Sequence, residues 1–365
     1  MTEFVLTSVR VENLACFSAL ELRPAMSTLL LGRNGTGKST LMDLLFTLGA
    51  VLSEGHGVED ALPDYQLAQG TGALIITLAS GSRTLSYRLQ LQPAEGVVDV
   101  SLGPVGPDWL IQEETVTDGD GQPVTHFQDG QFTSADLPKP LGLVRDRSPL
   151  ATLTFPEDSL VFGLKRWAGD IWMLRLEPRR MMGSAPEPDD ALAVSGENFA
   201  AWLLNFRNQK RTFHRIIQSL NGAIDGLERL RFVRSGREWV LVARFAGDHD
   251  VDFDRLSDGQ RCLIVLHAVL VLAKGLCSLL LLDEPDAHVT PEEILPLFMA
   301  LRERSQHAGF QVIVASHHPH VIDLMAPESA WELRALPSGV VAEPFRVPRA
   351  EGLAASRYLL MRARG

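Results

Sequence analysis

Two short stretches of the sequence carry the residue types best suited to phosphate chemistry. The first, GRNGTGKS at residues 32–39, fits the pattern GxxxxGK[ST] and lies between an apolar strand (residues 28–31) and a periodic helix (residues 38–48). Glycines let consecutive backbone N–H groups curl around a phosphate, and the N-terminus of the helix favours negative charge. We therefore expect Lys38 to reach the β- and γ-phosphates of a nucleotide and Ser39 to supply a hydroxyl group to Mg²⁺. The nucleotide-binding residues predicted here are Gly32, Arg33, Asn34, Gly35, Thr36, Gly37, Lys38, Ser39 and Thr40.

The second stretch, LLLLDEPD at residues 279–286, is an apolar run that ends in acids. A buried strand of this kind delivers its last side chains to the edge of a sheet. We expect Asp283 to hold Mg²⁺ through water and Glu284 to polarise the attacking water. Two acids that simply end a strand are the alternative, and the phosphate loop earlier in the chain weighs against it.

Four polar or flexible residues, Ser257, Asp258, Gly259 and Gln260, directly precede a long apolar helix. A serine hydroxyl and unpaired N–H groups at a helix N-terminus form an anion site. A simple helix cap by Ser257 or Asp258 is the structural alternative, and the two interpretations are compatible.

Composition limits the class of protein. The chain has 365 residues with 45% hydrophobic residues, enough for a large core. Its three cysteines, Cys16, Cys262 and Cys277, form no CxxC pair, which favours buried free thiols in a reducing compartment. The apolar run over residues 262–282 is interrupted by Lys274 and Gly275, so we expect no membrane span. The N-terminus has no signal-peptide pattern, and we predict a cytoplasmic protein.

The net charge of −11 argues against a surface built for indiscriminate phosphate binding. Residues 207–237 are the exception, because they carry eight bases against two acids. This basic segment is either a solvated face or a contact surface for DNA. Its bases are Arg207, Lys210, Arg211, Arg215, Arg229, Arg231, Arg234 and Arg237.

Strands alternate with helices at both ends of the chain, which predicts a largely parallel α/β core. Short strands over residues 72–132 indicate an antiparallel lobe, and residues 195–224 contain two helices. We divide the chain into an N-terminal core part with the antiparallel lobe (1–150), an inserted helical lobe with a hairpin (151–250) and a C-terminal core part (251–365).

Four motifs together resemble the ABC-type ATPases. LSDGQ (residues 256–260) matches four of five positions of the LSGGQ signature and lies 26 residues before Asp283. The segment from SVRVENLACF to the phosphate loop is similar to the opening of RecF, SMC and OLD-type ATPases. RDRSPL, SGENFAAWLLNFRN, DEPDAHVTP and SHHPHVID resemble the compact AAA-family ATPases grouped with OLD nucleases and with anti-phage or DNA-maintenance systems.

The resemblance implies a P-loop NTPase fold: an ABC-type ATPase head with a mixed sheet core, an antiparallel β lobe and a small helical lobe. It implies ATP and Mg²⁺ as ligands, with Ser39 and Asp283 at the metal. It also implies a head-to-tail homodimer on ATP binding, in which Ser257, Gly259 and Gln260 hold the γ-phosphate of the other subunit. His317 resembles the switch histidine that contacts the γ-phosphate and the attacking water. Lys38, Glu284 and His317 are thus the predicted catalytic residues.

The family also carries a glutamine that links the lobes to Mg²⁺, and no position of this sequence is assigned to it. SMC proteins place a long heptad coiled coil between these motifs, and none is visible here. The predicted function is an ATPase that drives a protein partner or a DNA-linked process, in DNA maintenance or anti-phage defence. Two alternatives remain: the ATPase subunit of a membrane transporter, and a nucleotide-gated binding module with little turnover.

Overall fold

The computed structural model describes residues 4–62, 70–94, 109–135, 137–308, 310–337, 339–347 and 354–364. The strands within these ranges are β1 (Val5–Leu14), β2 (Phe17–Leu22), β3 (Ser27–Leu31), β4 (Gly72–Ser80), β5 (Arg83–Pro93), β6 (Trp109–Asp118), β7 (Pro123–Gln128), β8 (Gln131–Ser134), β9 (Leu141–Gly142), β10 (Ile171–Leu174), β11 (Ser184–Ala185), β12 (Leu227–Ser235), β13 (Glu238–Phe245), β14 (His249–Asp252), β15 (Leu279–Asp283), β16 (Gln311–Ala315), β17 (Ala330–Leu336) and β18 (Gly339–Pro344).

The helices within the same ranges are α1 (Lys38–Gly49), α2 (Val58–Ala61), α3 (Pro149–Thr152), α4 (Leu160–Gly169), α5 (Phe199–Leu204), α6 (Lys210–Leu220), α7 (Asp258–Leu272), α8 (Pro291–Ala308), α9 (Pro319–Met325) and α10 (Ala355–Arg364). The chain forms two compact units. The first unit comprises residues 1–171 and 329–345, and the second comprises residues 172–328 and 346–365.

An antiparallel sheet with the strand order β2-β1-β4-β5-β6-β7-β8-β9 dominates the first unit. Its central strands β4 and β5 alternate fully buried and partly buried residues, which is typical of a sheet with one face in the core. On β4, for example, Ile76 and Leu78 are fully buried, and on β5 Leu85 and Tyr87 are. This sheet is the predicted antiparallel lobe, although residues 95–108 of that lobe lie outside the described residues.

Strand β3 of the first unit is buried along its whole length and pairs in parallel with β17, which in turn pairs antiparallel with β18. The chain passes from β3 through residues 32–37 directly into α1. Leucines at helical spacing, Leu41, Leu44, Leu45 and Leu48, bury one face of α1 and fix its N-terminus at the end of β3.

In the second unit, β15 and β16 are parallel neighbours and every residue of both strands is buried. Near-continuous apolar strands of this kind are typical of sheets that are covered on both faces. Helix α7 is likewise buried from Cys262 to Leu272 without a polar stripe. Its apolar composition therefore reflects a position inside the fold. Among the described residues, no helix combines the length and apolarity needed to cross a membrane.

One expectation about the cysteines is wrong. Cys262 and Cys277 are buried, but Cys16 is exposed. Leu14 and Phe17 are the last paired residues of β1 and β2, so Cys16 lies with Ala15 in the tight turn that joins the strands. Ala15 adopts a positive φ of 56° in that turn. A two-residue hairpin turn projects from the end of the sheet, which leaves the thiol outside the core.

Candidate nucleotide site

The loop between β3 and α1 depends on glycine at several positions. Gly32, Gly35 and Gly37 have φ angles of 145°, 79° and 85°, in the region that glycine alone adopts readily. A Cβ at Gly32 would lie 2.5 Å from the carbonyl oxygen of Leu333, and one at Gly37 would lie 2.6 Å from Cys16 Sγ. These two glycines are therefore required both by backbone conformation and by close packing, whereas Gly35 at the tip has open space around it.

Side chains of the same loop close it on itself. Lys38 is only 6% exposed, and its Nζ donates to the carbonyl oxygens of Gly32 at 2.9 Å and Arg33 at 3.2 Å. Thr36 Oγ1 donates to the Arg33 carbonyl at 2.8 Å. Gly37 is the N-cap residue of α1, and no side chain caps this end of the helix. Because the first N–H groups of a helix have no partner within the helix, this end of α1 can receive an anion.

The remaining loop residues differ in how far they are exposed to solvent. Arg33, Asn34 and Gly35 are exposed at the tip, and Ser39 and Thr40 are half-buried in the first turn of α1. The sequence-predicted residues 32–40 thus form one continuous cradle in the first unit. Its chemistry fits a polyphosphate, because it offers backbone donors, one ammonium group and the hydroxyl group of Ser39.

In the second unit, the predicted acids and histidine come together at the ends of two neighbouring strands. Asp283 ends β15 and is 4% exposed, and it stands opposite Ala315 at the end of β16. Glu284 follows Asp283, and its backbone N–H donates to the Ala315 carbonyl at 2.9 Å. His317 Nε2 lies 3.6 Å from Glu284 Oε1, and both side chains are about half exposed. An exposed carboxylate beside an imidazole can accept a proton from water.

Glu284 has an unusual backbone conformation. Its φ is 48°, which is uncommon for a residue other than glycine. Such strain is held in place by its surroundings and is frequent at functional sites. Here the bond to Ala315 and a second bond from the N–H of Ala287 to the Glu284 carbonyl, at 3.1 Å, fix the turn.

Arg175 is a further member of this cluster that sequence reasoning missed. It follows β10, the strand next to β15 in the sheet, and its Nε donates to Asp283 Oδ2 at 2.7 Å. The guanidinium group is 42% exposed, whereas the carboxylate is almost fully buried. The arginine therefore supplies the positive charge that a buried carboxylate requires. A charged residue directly after the apolar strand IWML was the available signal.

The predicted signature segment caps α7. Ser257 is exposed and forms a capping box, in which Gln260 N–H donates to Ser257 Oγ at 3.2 Å and Ser257 N–H donates to Gln260 Oε1 at 3.1 Å. A Cβ on Gly259 would lie 2.8 Å from the carbonyl oxygen of His288. Glycine is thus required at this position, because the DEPDAH turn passes directly over it.

The segment SHHPHVID places three histidines, His317, His318 and His320, after β16. Within the described part of the chain, no group of three or more His, Cys, Asp or Glu residues is placed to hold a metal ion. Mg²⁺, by contrast, usually needs only one or two carboxylates because substrate phosphates and water complete its shell. Asp283 and Ser39 each offer the oxygen chemistry that such a role demands.

The fold defines the class of protein: it is that of the head domain of SMC-type ATPases, an ABC-type P-loop NTPase. A crystal structure titled as an SMC head bound to the C-terminal winged-helix domain of ScpA has a TM-score of 0.58 at 13% identity, covering 95% of this chain and 99% of that one. The Smc head of Pyrococcus furiosus, described as bound to the C-terminal domain of ScpA, has a TM-score of 0.57 at 12% identity, covering 99% and 100%. The Smc head of Pyrococcus yayanosii has a TM-score of 0.56 at 9% identity, covering 99% and 100%.

The sequence identifies the family more narrowly. Residues 27–323 match the family described as "AAA domain, putative AbiEii toxin, Type IV TA system", and the chain belongs to that family. The comparison with curated proteins finds no match. Both the family and the fold agree with the resemblance to compact AAA/ABC-type ATPases of the SMC and RecF group, and an ATP-binding P-loop ATPase domain follows from them.

Proposed function

We propose that this protein hydrolyses Mg-ATP as a head-to-tail homodimer and couples closure and opening of the dimer to a partner in the cytoplasm. The observation that carries the proposal is the Glu284–His317 pair at 3.6 Å, on a backbone turn whose φ of 48° holds the carboxylate beside the imidazole. A family member that merely stored nucleotide would not need an exposed acid held in that conformation.

The phosphate loop binds and orients the substrate. Backbone N–H groups of residues 32–37 and the N-terminus of α1 receive the β-phosphate, and Lys38 exchanges its bonds to the Gly32 and Arg33 carbonyls for phosphate oxygens. Ser39 and Asp283 are the proposed ligands of Mg²⁺, which supplies charge neutralisation at the phosphate oxygens when it is bound.

Hydrolysis is assigned to the second unit. Glu284 accepts a proton from the attacking water, and His317 orients the water and contacts the γ-phosphate. Before the metal binds, Arg175 compensates the charge of the Asp283 carboxylate and so holds that side chain in place. Arg175 thereby acts through Asp283 as a positioning residue.

Ser257, Gly259 and Gln260 are assigned to the nucleotide of the other subunit. The hydroxyl group of Ser257 is exposed at the N-terminus of a 15-residue helix, which is the chemistry that an anion requires. The solved SMC heads are described as bound to domains of ScpA, which supports a protein partner. The family description names a toxin of a type IV system, which supports a role in defence over one in DNA maintenance.

A mixing experiment tests the composite site. Lys38→Ala removes the phosphate-loop function and Ser257→Arg removes the signature function, so we expect each variant alone to hydrolyse little ATP. A mixed dimer would contain one site with both functions intact, and the mixture should therefore recover a substantial part of the wild-type rate. A mixture that stays as inactive as its components would show that one chain encloses its own nucleotide, and the dimer proposal would fall.

The role of Glu284 is tested separately. We expect Glu284→Gln to lower the ATPase rate by about 10²–10⁴-fold and to accumulate a nucleotide-bound dimer, visible by light scattering with ATP. Glu292→Gln, an exposed acid in the first turn of α8, is the matched control and should hydrolyse ATP like the wild type. Equal rates in the two variants would remove the general-base role.

A further inference from the structure

A groove in the second unit combines positive charge with aromatic side chains. It lies between α6 and the β12–β13 hairpin and has a volume of about 650 Å³. Four of the eight bases of the predicted basic segment line it. Its lining includes the cations Arg207, Lys210 and Arg229, the aromatic residues Phe213, Phe232 and Trp239, and the acid Glu228.

Trp239 is the centre of the groove. It stands directly across from Arg234 in the hairpin, and the Arg234 guanidinium lies 5.1 Å from the centre of its ring. The Arg207 guanidinium lies 5.6 Å from the centre of the same ring. A guanidinium that rests against a ring keeps its in-plane N–H groups available for an anion. Each arginine spends one donor on a backbone carbonyl, of Leu204 and of Gly236, so several donors of each remain.

The floor of the groove is aromatic as well. Phe213 of α6 and Phe232 of β12 meet edge to face with their ring centres 6.2 Å apart, and both are only half-buried. Half-exposed aromatic rings in a concave surface offer π-faces for stacking. An acidic peptide needs only the positive charges, whereas here two of the arginines, Arg207 and Arg234, rest against an aromatic ring.

Three cations of the basic segment form no ion pair within the part of the chain that the structure describes, although one acid, Glu228, also lines the groove. Among the described residues, Lys210, Arg229 and Arg237 have no ion-pair partner, although Arg231 is bound to Asp250 at 2.6 Å. The chain as a whole has a net charge of −11, so this local excess of positive charge differs from the rest of the protein. Such a cluster gives the electrostatic part of nucleic-acid binding.

We propose that this groove binds single-stranded nucleic acid, with phosphates on Arg207, Lys210 and Arg234 and a base stacked in the space lined by Trp239, Phe213 and Phe232. A single strand is specified because a base inside a duplex has its faces covered by its neighbours, so only an unpaired base can stack on a side chain. The inference goes beyond ATP hydrolysis and does not depend on it, since the groove uses none of the predicted nucleotide-site residues.

Fluorescence anisotropy with labelled dT12, measured on the full chain without nucleotide, tests the proposal. We expect dT12 to bind more tightly than a 12-base-pair duplex or a polyglutamate of equal charge. Trp239→Ala should weaken dT12 binding by roughly 5- to 150-fold, the effect of losing one stacked base, and Trp239→Phe should restore most of it. Thermal unfolding of both variants separates this loss from misfolding.

Charge is tested with a matched pair of lysines. Lys210→Ala should weaken binding and reduce the slope of log affinity against log salt by about 0.7, whereas Lys274→Ala, an exposed lysine outside the groove, should change neither. Equal or tighter binding of the duplex or the polyglutamate would overturn the proposal, as would a folded Trp239→Phe variant that binds no better than Trp239→Ala. Because nucleotide is absent from the assay, a failure to hydrolyse ATP and a failure to bind dT12 are separate results.

Discussion

Among the residues that the structure describes, two carboxyl groups are buried, one in each unit, and their surroundings differ completely. Glu114 on β6 is 1% exposed and is bonded by the hydroxyl groups of Tyr87, at 2.7 Å, and Ser148, at 2.7 and 2.9 Å. Asp283 is 4% exposed and is bonded by the guanidinium group of Arg175. Burial of similar depth is thus compensated by neutral donors in one unit and by a positive charge in the other.

The difference shows what each group can do. Burial raises the pKa of Glu114 to about 7, and the hydrogen bonds from Tyr87, Ser148 and the Leu150 backbone only partly oppose this rise. Glu114 therefore joins β5, β6 and the start of α3 through neutral donors, and it is protonated below neutral pH. Asp283 has the Arg175 guanidinium group beside it, and we expect it to exchange that partner for a metal ion.

The largest expected effect comes from removing the charge beside Asp283. Arg175→Ala leaves a buried carboxylate without its partner, which should lower the free energy of unfolding by about 3–5 kcal/mol. Arg334→Ala, which breaks an exposed pair with Glu343, should cost about 0–1 kcal/mol. Urea denaturation measures both variants. If Arg175→Ala lowers the free energy of unfolding no more than Arg334→Ala, Asp283 does not depend on a neighbouring cation and the contrast with Glu114 is contradicted. If Mg-ATP stabilises Arg175→Ala more than it stabilises the wild type, the contrast is supported, because the metal then replaces the missing charge.

The second prediction concerns the pH dependence that Glu114 imposes. Folding raises the pKa of Glu114 from 4.5 to about 7, so the folded protein binds the proton more tightly than the unfolded chain does. The stability that this proton contributes is fully present below about pH 4.5 and is lost as the pH rises to about 7. The loss amounts to roughly 3 kcal/mol between those limits, from 1.36 kcal/mol per pKa unit. Glu114→Gln carries no titrating group, so its free energy of unfolding should decline less than that of the wild type over this range. Parallel pH profiles for the two proteins would contradict the assignment.

These two carboxyl groups also show where sequence reasoning succeeds and where it stops. Asp283 was predictable because an apolar strand ends in an acid, and residues 32–37 were predictable because a phosphate loop needs glycines at fixed spacing. Arg175 contacts Asp283 from 108 residues away, and Glu114 reaches Ser148 from 34 residues away. No local pattern encodes such contacts, because the topology of the sheets creates them.

Most helices and strands could be predicted from the sequence, because apolar runs and the alternation of apolar with polar residues follow directly from which side chains are buried. The hairpin predicted within residues 151–250 and the two helices predicted over residues 195–224 are present as β12, β13, α5 and α6. Cys16 was misjudged, because cysteine is usually buried and the two-residue turn that exposes it has no glycine or asparagine to mark it. The aromatic part of the basic groove was also missed, because Trp239 lies on β13 and Arg207 precedes α6, and only tertiary packing brings the two together.

The third prediction separates the donors around Glu114. Tyr87→Phe removes one hydroxyl group from a fully buried bond and should cost about 1–2 kcal/mol. Because the Tyr87 bond lowers the pKa of Glu114, its loss should also move the titration of Glu114 to higher pH. A double-mutant cycle with Glu114→Gln, followed by chemical denaturation at several pH values, measures the coupling. Additive effects of the two substitutions would show that the hydroxyl group and the carboxyl group act independently.

The smallest expected change in stability comes from removing the charge of Asp283, so that this position, like Glu114, is held by hydrogen bonds alone. Asp283→Asn replaces the carboxylate by a neutral amide whose oxygen can still accept from Arg175, and that arginine is 42% exposed and remains hydrated. The free energy of unfolding should therefore change by less than about 1 kcal/mol, while Mg²⁺ no longer strengthens nucleotide binding. Titration of a fluorescent ATP analogue with and without Mg²⁺ measures the second effect. A large loss of stability would mean that the charge of Asp283 stabilises the fold, as the hydrogen bonds of Glu114 do. The two buried carboxyl groups would then both have a structural role, and they would differ only in how much each stabilises its unit.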